Sequence, residues 1–295
     1  MRALTFSRLD LSDYDLVISS SGAEAKGIKT GPKTVHVAYI HSPTHYYWIR
    51  YEEYLANPGF GRLDPLARLG LRLLVGPLRW WDRRAALRPD YLIANSAHTQ
   101  AMIKKFYARE STVIYPPVEV ERFAGSSDEP RRGFITAGRQ TPYKKFELPV
   151  MACSELGLPL IVLGSGPDHF RLKQLAGKSV TFFKGKTDEE VAHYFQTSLA
   201  FIMPNMDDFG IVAVEALAAG TPVIAYKAGG ALDYVQESKT GMFFDEQTPE
   251  ALAAVLQKFD ASNFNSQTIQ KYASKFSVEV FSQSIEKFVS KVTER

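Results

Sequence analysis

The chain has 295 residues, 45% hydrophobic and 23% charged, with a formal net charge of +3. That is long enough for two domains and ordinary for a globular protein. No apolar run reaches the ~18 residues a membrane-spanning helix needs, and the one cysteine, Cys153, excludes an internal disulfide and leaves no Cys/His cluster at metal spacing.

In chain order, the opening MRALTFSRLDLSDYDLV reads without a signal-peptide core, so a reducing, cytoplasmic setting is expected. Buried strands are expected at 15–19, 35–40, 91–94 and 112–114. Between the second and third lies an Arg/Leu-rich stretch, 63–87, which reads as interrupted at Gly76-Pro77. Residues 59–109 hold eight Arg and two Lys against three Asp, a local excess of +7. An anionic surface is the partner such a patch implies. Nucleic acid is not expected, because no nucleic-acid-binding motif accompanies the charge. The stretch 62–88, with Trp80 and Trp81, has two readings: an amphipathic face on an anionic membrane, or a helix with its Leu and Trp in the core and its Arg solvated.

Linker composition follows, Tyr115-Pro116-Pro117-Val118 and then 125–130. The expected organisation is a partial acceptor-side domain at 1–122, a linker at 123–131, a donor-binding domain at 132–275 and a closing helix at 276–295. The second half alternates cleanly. Strands are expected at 133–137, 160–163, 180–183, 199–203, 222–225 and 241–244, with helices at 146–156, 169–176, 188–196 and 210–219. Short apolar strands alternating with amphipathic helices predict βαβ units and a parallel sheet. Ligands bind such sheets beyond the carboxyl ends of the strands.

The loops at those ends carry the chemistry. Gly138-Arg139-Gln140-Thr141-Pro142-Tyr143-Lys144 offers two cations around a turn: Arg139 can grip a phosphate bidentately and Lys144 adds a point charge. Read alone, the same residues could be an incidental basic loop. Gly164-Ser165-Gly166-Pro167 allows close backbone approach, or is a plain turn. Asp207 precedes a helix start and Glu215 lies on its second turn, with the N–H groups of Phe209, Gly210, Ile211 and Val212 between them. N–H groups and a helix dipole attract an anion, and carboxylates accept hydrogen bonds from sugar hydroxyls. Because that helix is otherwise almost wholly apolar, Glu215 needs a partner. Gly229-Gly230-Ala231-Leu232-Asp233 follows the next strand.

In this order, GR-x4-K, GSGP, DDFGIVAVEALAAGTPVIA and AGGALD, the loops resemble the donor-binding domain of family 4 glycosyltransferases over essentially all of 132–292. The resemblance implies a GT-B fold, two Rossmann-like α/β domains facing a cleft. It gives Asp207 contacts to sugar hydroxyls, Glu215 the nucleotide ribose, and Arg139 and Lys144 the diphosphate. Gly138, Gly164, Gly166, Phe209, Gly210, Ile211 and Val212 join Glu215 around the donor. Two departures stand out: Asp207 replaces the usual Glu, and Asp233 stands where many relatives have Glu. In the first half, YDLVISSSGAEAKGIKTG, VHVAYIHSPTHYYW, RPDYLIANSAHT and STVIYPPVEVERF resemble GDP-mannose-dependent mannosyltransferases of polysaccharide assembly. That likeness puts His41 near the transferred sugar and acceptor; His45 is the weaker candidate.

The expected function is therefore a retaining transfer of a hexose, mannose by resemblance, from a nucleotide-diphosphate sugar (GDP-mannose) to a lipid-linked or growing glycan. No obligatory metal or cofactor is expected, and the enzyme would be cytoplasmic, peripheral on the inner face of the membrane. By the same resemblance Met1 aligns within the relatives' first domain, and roughly 70–80 residues of that domain are expected to be missing. The alternative is a truncated, weakly active or inactive nucleotide-sugar-binding module, and a third reading is a nucleotide-sugar epimerase of the same fold.

Overall fold

The structure, a computed structural model, describes residues 2–56 and 58–294. Met1, Asn57 and Arg295, which fall within the expected domain ranges, lie outside the described residues. The chain forms two compact units, one running to Tyr115 and taking back the segment from Ser284 onward, the other Pro116–Gln283. The last helix, Val278–Thr293, thus contributes to both.

The first unit is built on four parallel strands in the order β1 (Leu16–Ser21), β2 (Val35–Ile40), β3 (Tyr91–Ala94) and β4 (Thr112–Val113). Val37 pairs with Tyr91 and Leu16 with Val35. Ala38, Ile40, Leu92 and Ala94 form one core with Ala86, Ile103 and Tyr107 of the flanking helices. Helix Ala97–Tyr107 starts where the Ser96 hydroxyl accepts from the Thr99 N–H at 2.9 Å, satisfying one of the donors that a helix start leaves over.

The expected interruption at Gly76-Pro77 is absent: one helix runs through it, Asp64–Ala86. A proline disfavours the helical conformation of the preceding residue partly through that residue's Cβ. Gly76 has none. Of the apolar residues on this helix, only the C-terminal part packs inward. Ala85 and Ala86 are buried and Trp81 lies against Gly27, while Leu66, Leu69, Leu73, Leu74 and Trp80 are exposed.

The buried end of this helix also carries Asp82. Its carboxylate accepts from Lys26 (2.7 Å), Thr44 (2.9 Å), Trp48 Nε1 (2.8 Å) and Tyr107 OH (2.7 Å). Burial first, and then the Asp82 charge, drive the Tyr107 phenol well above its ordinary pKa, so it remains a donor. The network ties the loop after β2 to two helices.

The second unit is a six-stranded, all-parallel sheet in the order β10-β9-β8-β5-β6-β7. The strands are β5 (Phe134–Ala137), β6 (Leu160–Leu163), β7 (Val180–Phe183), β8 (Ala200–Met203), β9 (Val223–Tyr226) and β10 (Gly241–Phe244). Each lies within one residue of its expected position at either end. Two further helices of eight or more residues lie beyond the expected set: Pro249–Lys258, which packs on β10 and on helix Glu147–Glu155, and Ser266–Ala273, which packs on helix Ile211–Ala218. The first has its start written in the sequence: Thr248 caps it and Pro249 occupies its first position. The core gathers Phe134, Val150, Leu160, Val162, Ile202, Ile224 and Leu252.

Candidate functional site

Strand order places the site before any side chain is considered. From β5 the chain moves outward through β6 and β7; from β8 it moves the other way through β9 and β10. The crevice beyond the carboxyl ends of β5 and β8 is the topological switch point where open α/β sheets bind ligands. The loop after β5 carries Gly138, Arg139 and Lys144, and the loop after β8 carries Asp207, Phe209 and Gly210.

These two loops meet. Lys144 Nζ lies 2.5 Å from Asp207 Oδ2, with both side chains partly open to solvent. Lys144 is aimed by a short 3-10 turn, Pro142–Lys144, which ends at Lys145 in the left-handed region, φ 55°. Arg139 is exposed, and among the described residues its guanidinium has no hydrogen-bond or ion-pair partner.

Helix Ile211–Ala218 begins at Gly210, φ 100°, and no side chain caps it. A left-handed residue there favours glycine, and the first-turn N–H groups keep their donor capacity. The other end is closed in detail. Thr221 N–H donates to Ala216 O and Gly220 N–H to Leu217 O, each at 2.9 Å, the paired bonds of a Schellman turn. Arg131 then donates to the carbonyls of Ala219 (3.2 Å) and Gly220 (3.1 Å) and to Thr221 Oγ1 (2.6 Å). A cation sits at the negative end of the helix dipole while the positive end is left open.

Glu215 and Val212 line a pocket of about 250 Å³ together with Gly138, Gly164, Lys184 and Lys186. Burial raises the Glu215 pKa; nearby Arg122 opposes the rise and Glu119 adds to it. Lys184 and Lys186 have no counterpart among the expected site residues. They follow β7 at the same carboxyl edge, and that position is the only signal the sequence offers. Lys186 is held at 2.6 Å by Glu190, which also closes a capping box with Thr187.

Not every expected donor residue presents its side chain. The Phe209 ring is buried against Tyr234 and Phe276, so only its backbone can face a ligand. Ile211 is exposed at the helix start and Val212 half-buried. For Gly164 and Gly166 the structure supplies a packing reason. A Cβ on Gly164 would collide with the Gly138 carbonyl, and one on Gly166 with the Gln140 carbonyl. The two loops are stitched by Gly138 N–H to Leu163 O and Gln140 N–H to Ser165 O, both 3.0 Å. Gly229 and Gly230 likewise let the next loop press onto 207–209, where the Gly230 N–H donates to Asp207 O at 2.8 Å.

His41 belongs to the first unit. It is exposed at the end of β2, with Nε2 2.8 Å from Ser20 Oγ and its ring edge-on to Tyr39. Cys153 is buried and its thiol pushed up to about 12, which rules it out as a nucleophile. Among the described residues, no three or more His, Cys, Asp or Glu side chains group as a metal site. No described helix is long and apolar enough to cross a membrane.

Solved structures share this architecture. Sucrose-phosphate synthase from Thermosynechococcus elongatus superposes with a TM-score of 0.72 at 20% identity, over 95% of this chain and 74% of that one. The Anabaena protein HepE, solved with UDP-glucose, gives 0.69 at 19% identity, over 98% and 81%. Both units thus have the Rossmann-like form of GT-B glycosyltransferases. The sequence profile of the family described as Glycosyl transferases group 1 matches residues 117–276, just over half of the chain. The protein belongs to that family.

Among curated relatives, D-inositol 3-phosphate glycosyltransferase of Streptomyces avermitilis is 29% identical over 204 residues, 58% of this chain and 44% of its own. A GDP-mannose-dependent alpha-(1-6)-phosphatidylinositol monomannoside mannosyltransferase of Mycobacterium tuberculosis is 27% identical over 202 residues, 58% of this chain and 52% of its own. Human alpha-1,3/1,6-mannosyltransferase ALG2 is 25% identical over 263 residues, 75% and 63%. The first two matches span about half the length of those relatives.

Proposed function

We propose that this chain binds a nucleotide-diphosphate sugar in its second unit and serves a retaining transfer of hexose to a glycan or lipid-linked acceptor. The sugar is mannose and the donor GDP-mannose, a reading supported by the mannosyltransferases among its relatives. The observation that carries the proposal is the meeting of Lys144 and Asp207 beside an uncapped helix start at the switch point. A diphosphate takes Lys144, Arg139 and the N–H groups of Gly210, Ile211 and Val212, which stabilise the charge that develops on the leaving group. Asp207 then accepts from a sugar hydroxyl, and Glu215 from the ribose diol in the pocket it lines. Residues 1–122 take the acceptor side, with His41 its candidate catalytic residue. The cationic helix within 62–88 faces an anionic membrane on its cytoplasmic side.

A panel of nucleotide sugars tests this by thermal stabilisation, which grows with ligand concentration over dissociation constant. GDP-mannose should raise the melting temperature most, and Glu215→Ala should abolish the rise. An equal rise in that variant removes the ribose role. The alternative reading is donor binding without transfer. Release of GDP only when a lipid-linked acceptor is added separates the two.

A further inference from the structure

The first unit carries a groove that the donor chemistry leaves unused. It holds about 330 Å³ and is walled by Tyr46, Tyr54, Phe60, Gly70, Leu74 and Leu78. Its surface is almost wholly apolar, so a sugar or phosphate inside would lose hydration without gaining partners. A Cβ on Gly70 would meet nothing within 4 Å, which leaves the slot open along the helix side.

Beside the groove, helix Asp64–Ala86 bears Leu66, Leu69, Leu73, Pro77 and Trp80, all exposed. Spacings of three and four residues put them on one row along the helix. Leu66, Leu69, Leu73 and Trp80 are each more than half exposed. Cations bracket the row: Arg62 before it, Arg72 beside it and Arg84 stacked over Trp80. Among the described residues none of these three has a carboxylate within ion-pair distance. Of the two acids on the helix, Asp82 is consumed by Lys26 and Asp64 accepts from the Phe60 N–H. Apolar slot, apolar row and unopposed cations together match one kind of molecule, an amphiphile with a hydrocarbon chain and an anionic head.

We propose that the groove holds one hydrocarbon chain of a phosphate-bearing membrane lipid, with the exposed row lying in the bilayer surface and Arg62, Arg72 and Arg84 at the phosphates. This rests on the reading of a membrane-facing helix given above and adds the site where the chain enters. The groove also borders the expected acceptor side. Tyr46 stands on the loop that leaves β2 through His41, and Thr44 and Trp48 of that loop are bonded to Asp82. A lipid seated here is therefore held by the loop that carries His41.

The test uses the full chain with dodecyl phosphate and dodecyl maltoside below their micelle concentrations, and with phosphatidylcholine vesicles with or without phosphatidylglycerol. Gly70→Leu and Ala67→Leu fill the groove; leucine raises helix propensity at the glycine position and lowers it only slightly at the alanine position, and unchanged melting temperatures without ligand check that both variants fold. Dodecyl phosphate should bind the wild type about tenfold more tightly than it binds either filled variant, and more tightly than dodecyl maltoside binds. Leu69→Ser combined with Leu73→Ser should lose flotation with phosphatidylglycerol vesicles while keeping dodecyl phosphate binding. Equal affinity for wild type and both filled variants overturns the groove, and equal affinity for the two detergents overturns the arginine contact with phosphate. Flotation that survives the double serine change overturns the bilayer row. Stabilisation by nucleotide sugars is scored separately: if it fails while amphiphile binding holds, the transfer reading falls alone, and in the converse case the lipid site falls alone.

Discussion

Each unit contains a lysine–aspartate pair at similar distance, 2.7 Å for Lys26–Asp82 and 2.5 Å for Lys144–Asp207, yet their surroundings are opposite. The first pair is 1% and 0% exposed; the second is 23% and 20% exposed. Around Asp82 three further donors complete the carboxylate, and Lys26 also donates to the Ala23 carbonyl at 2.6 Å. Among the described residues, the Lys144 ammonium has a ring contact with Tyr143 beside its Asp207 partner and no further side-chain bond. A buried charge needs every lone pair met, because water is not there to meet it. A half-open pair can change partners, since solvent and incoming ligands compete on equal terms. The same two residue types thus make a rivet in one unit and an exchangeable contact in the other.

Breaking the rivet should have the largest effect. Asp82→Ala strands Lys26 and leaves Thr44, Trp48 and Tyr107 unpaired, and should cost ~3–5 kcal/mol in urea unfolding. A loss below ~1 kcal/mol would mean that water reaches the network and the contrast is false. In the open pair, Lys144→Ala should lower turnover by ~10²–10³ while stability moves by no more than ~1 kcal/mol. If turnover and stability fell together, Lys144 would be structural as well.

Glu215→Gln sharpens the contrast through pH. Burial holds the folded-state pKa above the ordinary carboxylate value. Between those two values the native state keeps a proton that the unfolded chain has lost, so stability falls as pH rises through that window. The glutamine variant should lack this decline and be the more stable protein at neutral pH, while binding donor more weakly by ~1.5–3 kcal/mol. Parallel melting curves against pH for the two proteins would contradict the burial argument. The smallest effect is expected from salt: raising ionic strength should alter the stability of wild type and of Asp82→Asn by similar small amounts, because the buried pair is shielded from mobile ions.

The second unit was the more legible in sequence, for a physical reason. Its strands are short, mostly apolar runs of four residues, four of the six directly flanked by a Gly or Pro, and each motif loop directly follows one of them. Asp207, Glu215, Arg139 and Lys144 could therefore be placed at one sheet edge from their strands alone. Lys184 and Lys186 escaped because a lone KGK after a strand has no motif character. The Lys26–Asp82 network is invisible in sequence: its members come from four segments, and Asp82 lies in a run of arginines where it reads as an ordinary surface acid. Gly76-Pro77 misled for a local reason, since the glycine that suggests a break also lacks the Cβ through which a proline disfavours a helical residue before it.

The backbone stitching of the donor loops has a consequence for mutational surveys. Gly164, Gly166 and Gly230 admit no side chain, because each faces a neighbouring backbone. A screen that reads protein abundance would score all three as intolerant, because a misassembled loop destabilises the fold. Variants at Lys144 or Arg139, by contrast, should keep normal abundance and lose only donor handling. Abundance at the glycines measures loop assembly, and only a loss of activity at unchanged abundance would identify the residues that handle the substrate.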